Sequence, residues 1–152
     1  MSADVAPAKL NEITAKVWSM VLGFRIQPVK CDPGRAEAQD FVLGKVSITG
    51  SWVGAVTLGC STGLARRAAA AMFGKLPADA EAGEIRDALG ELTNMVGGNY
   101  KTFLRGDCKL SVPSVTDTVP YGRVEPTPLE HQWFECEGGV VLLHVVTKEA
   151  GR

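Results

Sequence analysis

The chain has 152 residues, 45% of them hydrophobic and 22% charged, with a formal net charge of −1. That size suits one domain with a substantial core, expected over residues 1–152 with its core at about 8–148, while scattered Lys and Arg argue against nucleic-acid binding. No apolar run approaches the ~18 residues that span a membrane, and MSADVAPAKLNEITAKVW lacks the basic start and apolar stretch of a signal peptide, so a cytoplasmic location is expected.

Leu10, Ile13, Val17, Met20 and Val21 recur at helical spacing, and Gly23 is placed to stop that helix. Phe24, Ile26 and Pro28 suggest a short, edge-like strand, followed by the polar turn CDPGRAEAQ. FVLGKVSITG and WVGAVTLG read as antiparallel strands joined near Gly50 and Ser51. Ser61 is a suitable N-cap for the helix LARRAAAAMF, which Gly74 would end. Within it, Arg66 and Arg67 read as helix surface. KLPADAEAG then links to a third helix predicted over about 83–105, with Glu81, Glu84 and Asp87 near its positive end.

KLSVPSV and a stretch punctuated by Pro120, Pro126 and Pro128 follow. Residues 113–130 leave two readings open, a strand that extends a sheet across an interface or a loop. WFECE and VVLLHVVT read as a hairpin around Gly138 and Gly139. The element order is a pseudo-duplication: helix, three strands and a short helix, then a helix and about three strands. Short connections favour antiparallel pairing. The expected fold is therefore α+β, with helices packed on a mostly antiparallel twisted sheet.

Self-contained catalytic chemistry is hard to find. The four cysteines, at 31, 60, 108 and 136, form no C-x-x-C pair and read as reduced packing residues rather than zinc ligands. Of the histidines at 131 and 144, His144 falls inside an apolar strand. There is no G-x-x-x-x-G-K-[ST]. Any chemistry is expected to be completed by a partner, with no metal bound by the chain itself.

The segment DALGELTNMVGGNYKTFL carries the strongest signal. At ~3.6 residues per turn, Asp87, Glu91, Asn94 and Gly98 fall within roughly 60° of arc. Ile85, Leu89, Leu92, Val96 and Phe103 centre on the opposite side and account for a core-facing stripe. The polar stripe is thus either a solvated outer face or a docking face. Gly97 and Gly98 each cost ~1 kcal/mol inside a helix. Gly98 lies on the polar face, where a missing side chain lets another backbone approach. Tight packing within the fold explains Gly97 better than Gly98.

With VWSMVLGF, VSITGSWVGAVTLG, RRAAAAMFG and LSVPSV around that helix, the chain resembles the CheC/CheX/FliY group of chemotaxis phosphatases from about Ala15 to Val146. It looks most like the CheX branch. The triplet matches the family pattern of Asp or Ser, three residues, Glu, two residues, Asn. The resemblance implies a phosphatase acting on the aspartyl phosphate of a CheY-like receiver domain. Glu91 would pair with the receiver's active-site lysine, and Asn94 would orient the attacking water. Asp87, with Gly98 on the same contact face, would play a supporting part at the partner edge. Mg²⁺ would be the receiver's, and a homodimer is implied by analogy. CheC-like members repeat the motif on the first helix, but here KLNEITAK has Ala15 three positions after Glu12, which implies a single site. A receiver-binding or assembly module without catalysis is the alternative, and a structural domain of a flagellar-switch assembly is a weaker third.

Overall fold

The computed structural model describes residues 7–29, 40–120, 130–136 and 138–147. The polar turn expected at CDPGRAEAQ and the prolines at 126 and 128 lie outside these residues. The described elements are α1 (Pro7–Leu22), β1 (Gln27–Val29), β2 (Asp40–Gly50), β3 (Gly54–Ser61), α2 (Thr62–Phe73), α3 (Ala82–Lys101), β4 (Cys108–Leu110), β5 (Ser114–Pro120), β6 (Glu130–Cys136) and β7 (Gly139–Thr147). A single 3-10 turn, Pro77–Asp79, lies in the linker before α3.

All the described strands join one seven-stranded sheet in the order β1-β6-β7-β3-β2-β4, with β5 also on β2. Every pairing is antiparallel. The duplication expected from element order takes a concrete form. The β2–β3 and β6–β7 hairpins meet at the central β3–β7 pair. The β1 strand of the first half crosses to β6, and β4 and β5 of the second half cross to β2. Residues 114–120 of the stretch left open by the sequence are therefore a strand in the chain's own sheet.

Period-2 alternation assigns the two sheet faces. Val42, Val46 and Ile48 of β2, Val56, Leu58 and Cys60 of β3, and Val141, Leu143 and Val145 of β7 join the helices in the main core. Phe41, Trp133, Val140 and Leu142 form a smaller cluster on the other face. Burial drives the Cys60 thiol well above its ordinary range, as expected of an inert packing cysteine. His144 is a buried strand residue.

The helix ends follow the sequence with one substitution of means. Gly74 ends α2 in the left-handed conformation at φ 68°. Ser61 does occupy the N-cap position of α2, but its hydroxyl makes no cap bond. It accepts instead from the Val140 backbone N–H at 3.2 Å, tying β3 to β7. At α3 the cap is a reciprocal box: the Glu81 side chain accepts from the N3 backbone, and Glu84 accepts from the Glu81 N–H at 3.0 Å.

Two residues counted into the apolar stripes are not core. Met20 near the end of α1 is 73% exposed. Phe103 is exposed because α3 stops at Lys101, two residues before it, and the chain turns away. Phe103 instead lies beneath the Lys9 ammonium, 5.1 Å from its ring centroid. The fully buried Tyr100, edge-on to Trp52 at 5.6 Å between ring centroids, completes the core stripe.

Candidate functional site

The site begins with how α3 is seated. Ile85, Leu89, Leu92, Thr93, Val96, Gly97 and Tyr100 are buried along its inner side. Close approach to β2 is secured by a glycine on each partner. A Cβ on Gly44 would collide with the Thr93 hydroxyl, and one on Gly97 would lie 2.6 Å from Val46 Cγ2. Thr93 spends its own hydroxyl on the Leu89 carbonyl at 2.6 Å. The helix runs unbroken from Ala82 to Lys101, so the glycine pair introduces no bend that would turn the outer residues apart.

Fixing the inner face fixes the outer one. Asp87 and Glu91 are exposed, and Asn94 and Gly98 are half-buried. Asp87, Glu91 and Asn94 line a shallow depression of about 600 Å³ together with Arg86, Gly90, Pro113, Ser114 and Val115. Gly98 lies one turn beyond Asn94 on the same face and does not line it. A Cβ there would meet only Leu110 Cδ2, at 3.9 Å, so packing does not require glycine at this position.

The far wall was not legible as part of a site. LSVPSV reads locally as strand or loop, and only the pairing of β5 with β2 sets it beside α3. Gly90 is where the two walls touch: a Cβ there would sit 3.6 Å from Val115 Cγ2 and 3.8 Å from Pro113 Cγ. Arg86 bridges the walls at one end. Its guanidinium donates to Asp117 Oδ2 at 3.2 Å and to the Val115 carbonyl at 3.3 Å.

This arrangement gives the depression an acidic bias. The Arg86 charge is offset by Asp117, while Asp87 and Glu91 form no hydrogen bond or ion pair among the described residues, and neither does Asn94. A carboxylate and a carboxamide less than one turn apart, the first exposed and the second half-buried, can respectively grip a cation and orient a water. Among the described residues, no group of three or more His, Cys, Asp or Glu side chains could hold a metal ion. No helix among the described residues is long and apolar enough to cross a membrane.

The fold is CheC-like, and comparison with known proteins narrows it further. The family model described as chemotaxis phosphatase CheX matches residues 42–135, more than half of the chain. The chain belongs to the CheX family of chemotaxis phosphatases.

Solved structures share the fold at low identity. The chemotaxis protein CheX from Vibrio vulnificus is 20% identical, with a TM-score of 0.76 over 95% of this chain and 100% of that one. A CheX from Desulfovibrio desulfuricans is 22% identical, with a TM-score of 0.71 over 93% and 99%. The CheX–CheY–BeF3–Mg²⁺ complex from Borrelia burgdorferi matches at 16% identity and a TM-score of 0.71, over 96% and 100%. A search of curated protein sequences returns no match.

Proposed function

We propose that this protein accelerates hydrolysis of the aspartyl phosphate on a CheY-like receiver domain, using Glu91 to dock and Asn94 to position water. The observation that carries this reading is the pair itself. Glu91 and Asn94 have no partner among the described residues and share the outer face of α3, inside an acidic-biased depression. Family membership and the existence of a CheX–CheY complex in a relative support the choice of partner.

The chemistry asks little of the protein. Loss of a phosphoryl group from an acyl phosphate proceeds through a loose transition state, so holding a water in line supplies much of the achievable acceleration. The Asn94 carboxamide can accept from that water through its oxygen while its NH₂ donates to a neighbouring acceptor. It does this without titrating, so no histidine base is needed. Glu91 would form a charge-assisted pair with the receiver lysine beside the phosphoaspartate, fixing the register that brings Asn94 to the water. Asp87 adds negative field at the contact edge, and Gly98 keeps the face low. Mg²⁺ would arrive with the receiver, where it neutralises the phosphoryl oxygens.

The direct test is decay of a phosphorylated receiver from the same organism with substoichiometric protein. Turnover of many receivers per molecule is the expected result. Binding to the phosphorylated receiver with no change in its decay would instead identify a receiver-binding module.

A further inference from the structure

Val112 is the most exposed of the large hydrophobic residues among those described, at 86%. A single exposed apolar residue is ordinarily unremarkable on a protein surface. What distinguishes Val112 is how firmly it is held and where. On one side, the Ser111 N–H donates to the Ser47 carbonyl at 2.9 Å, and the Ser47 N–H donates to the Ser111 hydroxyl at 2.9 Å. That hydroxyl donates in turn to the Val112 carbonyl at 3.1 Å. On the other side, Pro113 lies against Gly90 of α3 and confines the residue before it to extended backbone.

The next three residues, Pro113, Ser114 and Val115, are the far wall of the depression that holds Glu91 and Asn94. Val112 therefore stands at the rim of the candidate site. It is pinned by β2 on one side and proline on the other, with a side chain that is itself stiff at χ1. An apolar group so pre-organised loses little entropy when a partner covers it.

We infer that Val112 is an apolar anchor for the receiver, covered when Glu91 engages the receiver's cation. The inference rests on the receiver reading above and extends it. It assigns the partner a second property, an apolar patch next to the cationic group that Glu91 pairs with. The polar pair then sets orientation and chemistry, while Val112 contributes affinity and selects among receivers that share the same active-site lysine. Receivers with a charged residue in that patch are poor substrates.

The test measures phosphate decay for each of the organism's receivers as a function of receiver concentration. It compares wild-type protein with Val112→Asp and Val112→Ile, and melting curves accompany both variants. For the receiver that wild type dephosphorylates best, Val112→Asp should raise the half-saturating concentration about tenfold, with the maximal rate changing much less. Val112→Ile should stay close to wild type. Both variants should melt as wild type does, because the side chain touches little of the fold. An unchanged half-saturating concentration in Val112→Asp overturns the anchor while leaving the phosphatase reading intact. A wild-type protein that accelerates no receiver at any concentration overturns both.

Discussion

Gly97 on α3 faces Val46 on β2 so closely that a Cβ at 97 would lie 2.6 Å from Val46 Cγ2. At the adjacent Gly98 the same atom would meet only Leu110 at 3.9 Å. Two neighbouring glycines in one helix thus have opposite structural meanings. Gly97→Ala should destabilise by about 1–3 kcal/mol through overpacking. Gly98→Ala should stabilise the helix by roughly 0.5–1 kcal/mol while weakening receiver docking through the added bulk. Denaturant melts and decay assays on the two variants check both signs. A stabilised Gly98→Ala with undiminished activity would show that close approach at this position is not used.

Glu91 and Asn94 should separate docking from chemistry. Glu91→Ala should raise the half-saturating receiver concentration by about tenfold or more, since a charged partner loses its counter-ion. Asn94→Ala should lower the maximal rate by about a hundredfold with affinity largely kept. Glu91 is exposed and neither side chain has a partner among the described residues, so both variants should melt close to wild type. Titration with a beryllofluoride-loaded receiver measures affinity without turnover.

How much of this was legible in the sequence varies by the range of the interaction. The α3 stripe was readable because helical geometry is local: Asp87, Glu91 and Asn94 share a face whatever surrounds them. The different roles of Gly97 and Gly98 were also readable, from which face each falls on. Phe103 was misassigned because its angular position suits the core, but the helix ends two residues earlier. Met20 has the right spacing and still faces out, because nothing in a periodic pattern says whether a neighbour covers it. Ser61 has the identity of a cap, yet β7 claims its hydroxyl. The wall formed by Pro113–Val115 was invisible for the same reason. It depends on a strand pairing across roughly 70 residues of chain, and register of that kind is set by the assembled sheet rather than by local pattern.

Arg86 is a strap rather than a stability device. Its ion pair with Asp117 is about half exposed on both sides, at 50% and 42%, and pairs of that kind contribute only about 0–1 kcal/mol. Arg86→Ala should therefore melt near wild type. Freed from α3, β5 should let the depression widen, and the half-saturating receiver concentration should rise severalfold. A loss of stability well beyond 1 kcal/mol would contradict this division of roles.

Lys75 and Glu84 give the fold a definite pH signature at the start of α3. Their side chains meet at 2.7 Å. The Lys75 hydrogen bond, aided by the Glu81 N–H, holds the Glu84 carboxyl below its ordinary range. The hydrogen bond to Glu84 likewise raises Lys75 above its own. A depressed carboxyl stabilises the fold above its unfolded pKa and loses that contribution as pH falls through the folded value. A raised amine stabilises fully below its unfolded pKa and loses the contribution only as pH climbs through the folded value. The pair should thus be intact across neutral pH. Glu84→Gln should lower the Tm at pH 7, and the gap from wild type should narrow in acid, below the lowered Glu84 value, where that carboxyl is protonated. A gap that persists there would locate the effect in the backbone cap alone.

The most direct measurement is the decay of phosphorylated receiver with wild-type protein and with Asn94→Ala, side by side, alongside affinity for the beryllofluoride-loaded receiver. The expected result is multiple turnover by wild type, lost in Asn94→Ala while binding persists. Decay accelerated equally by both proteins would contradict the assignment of Asn94 as the residue that positions water.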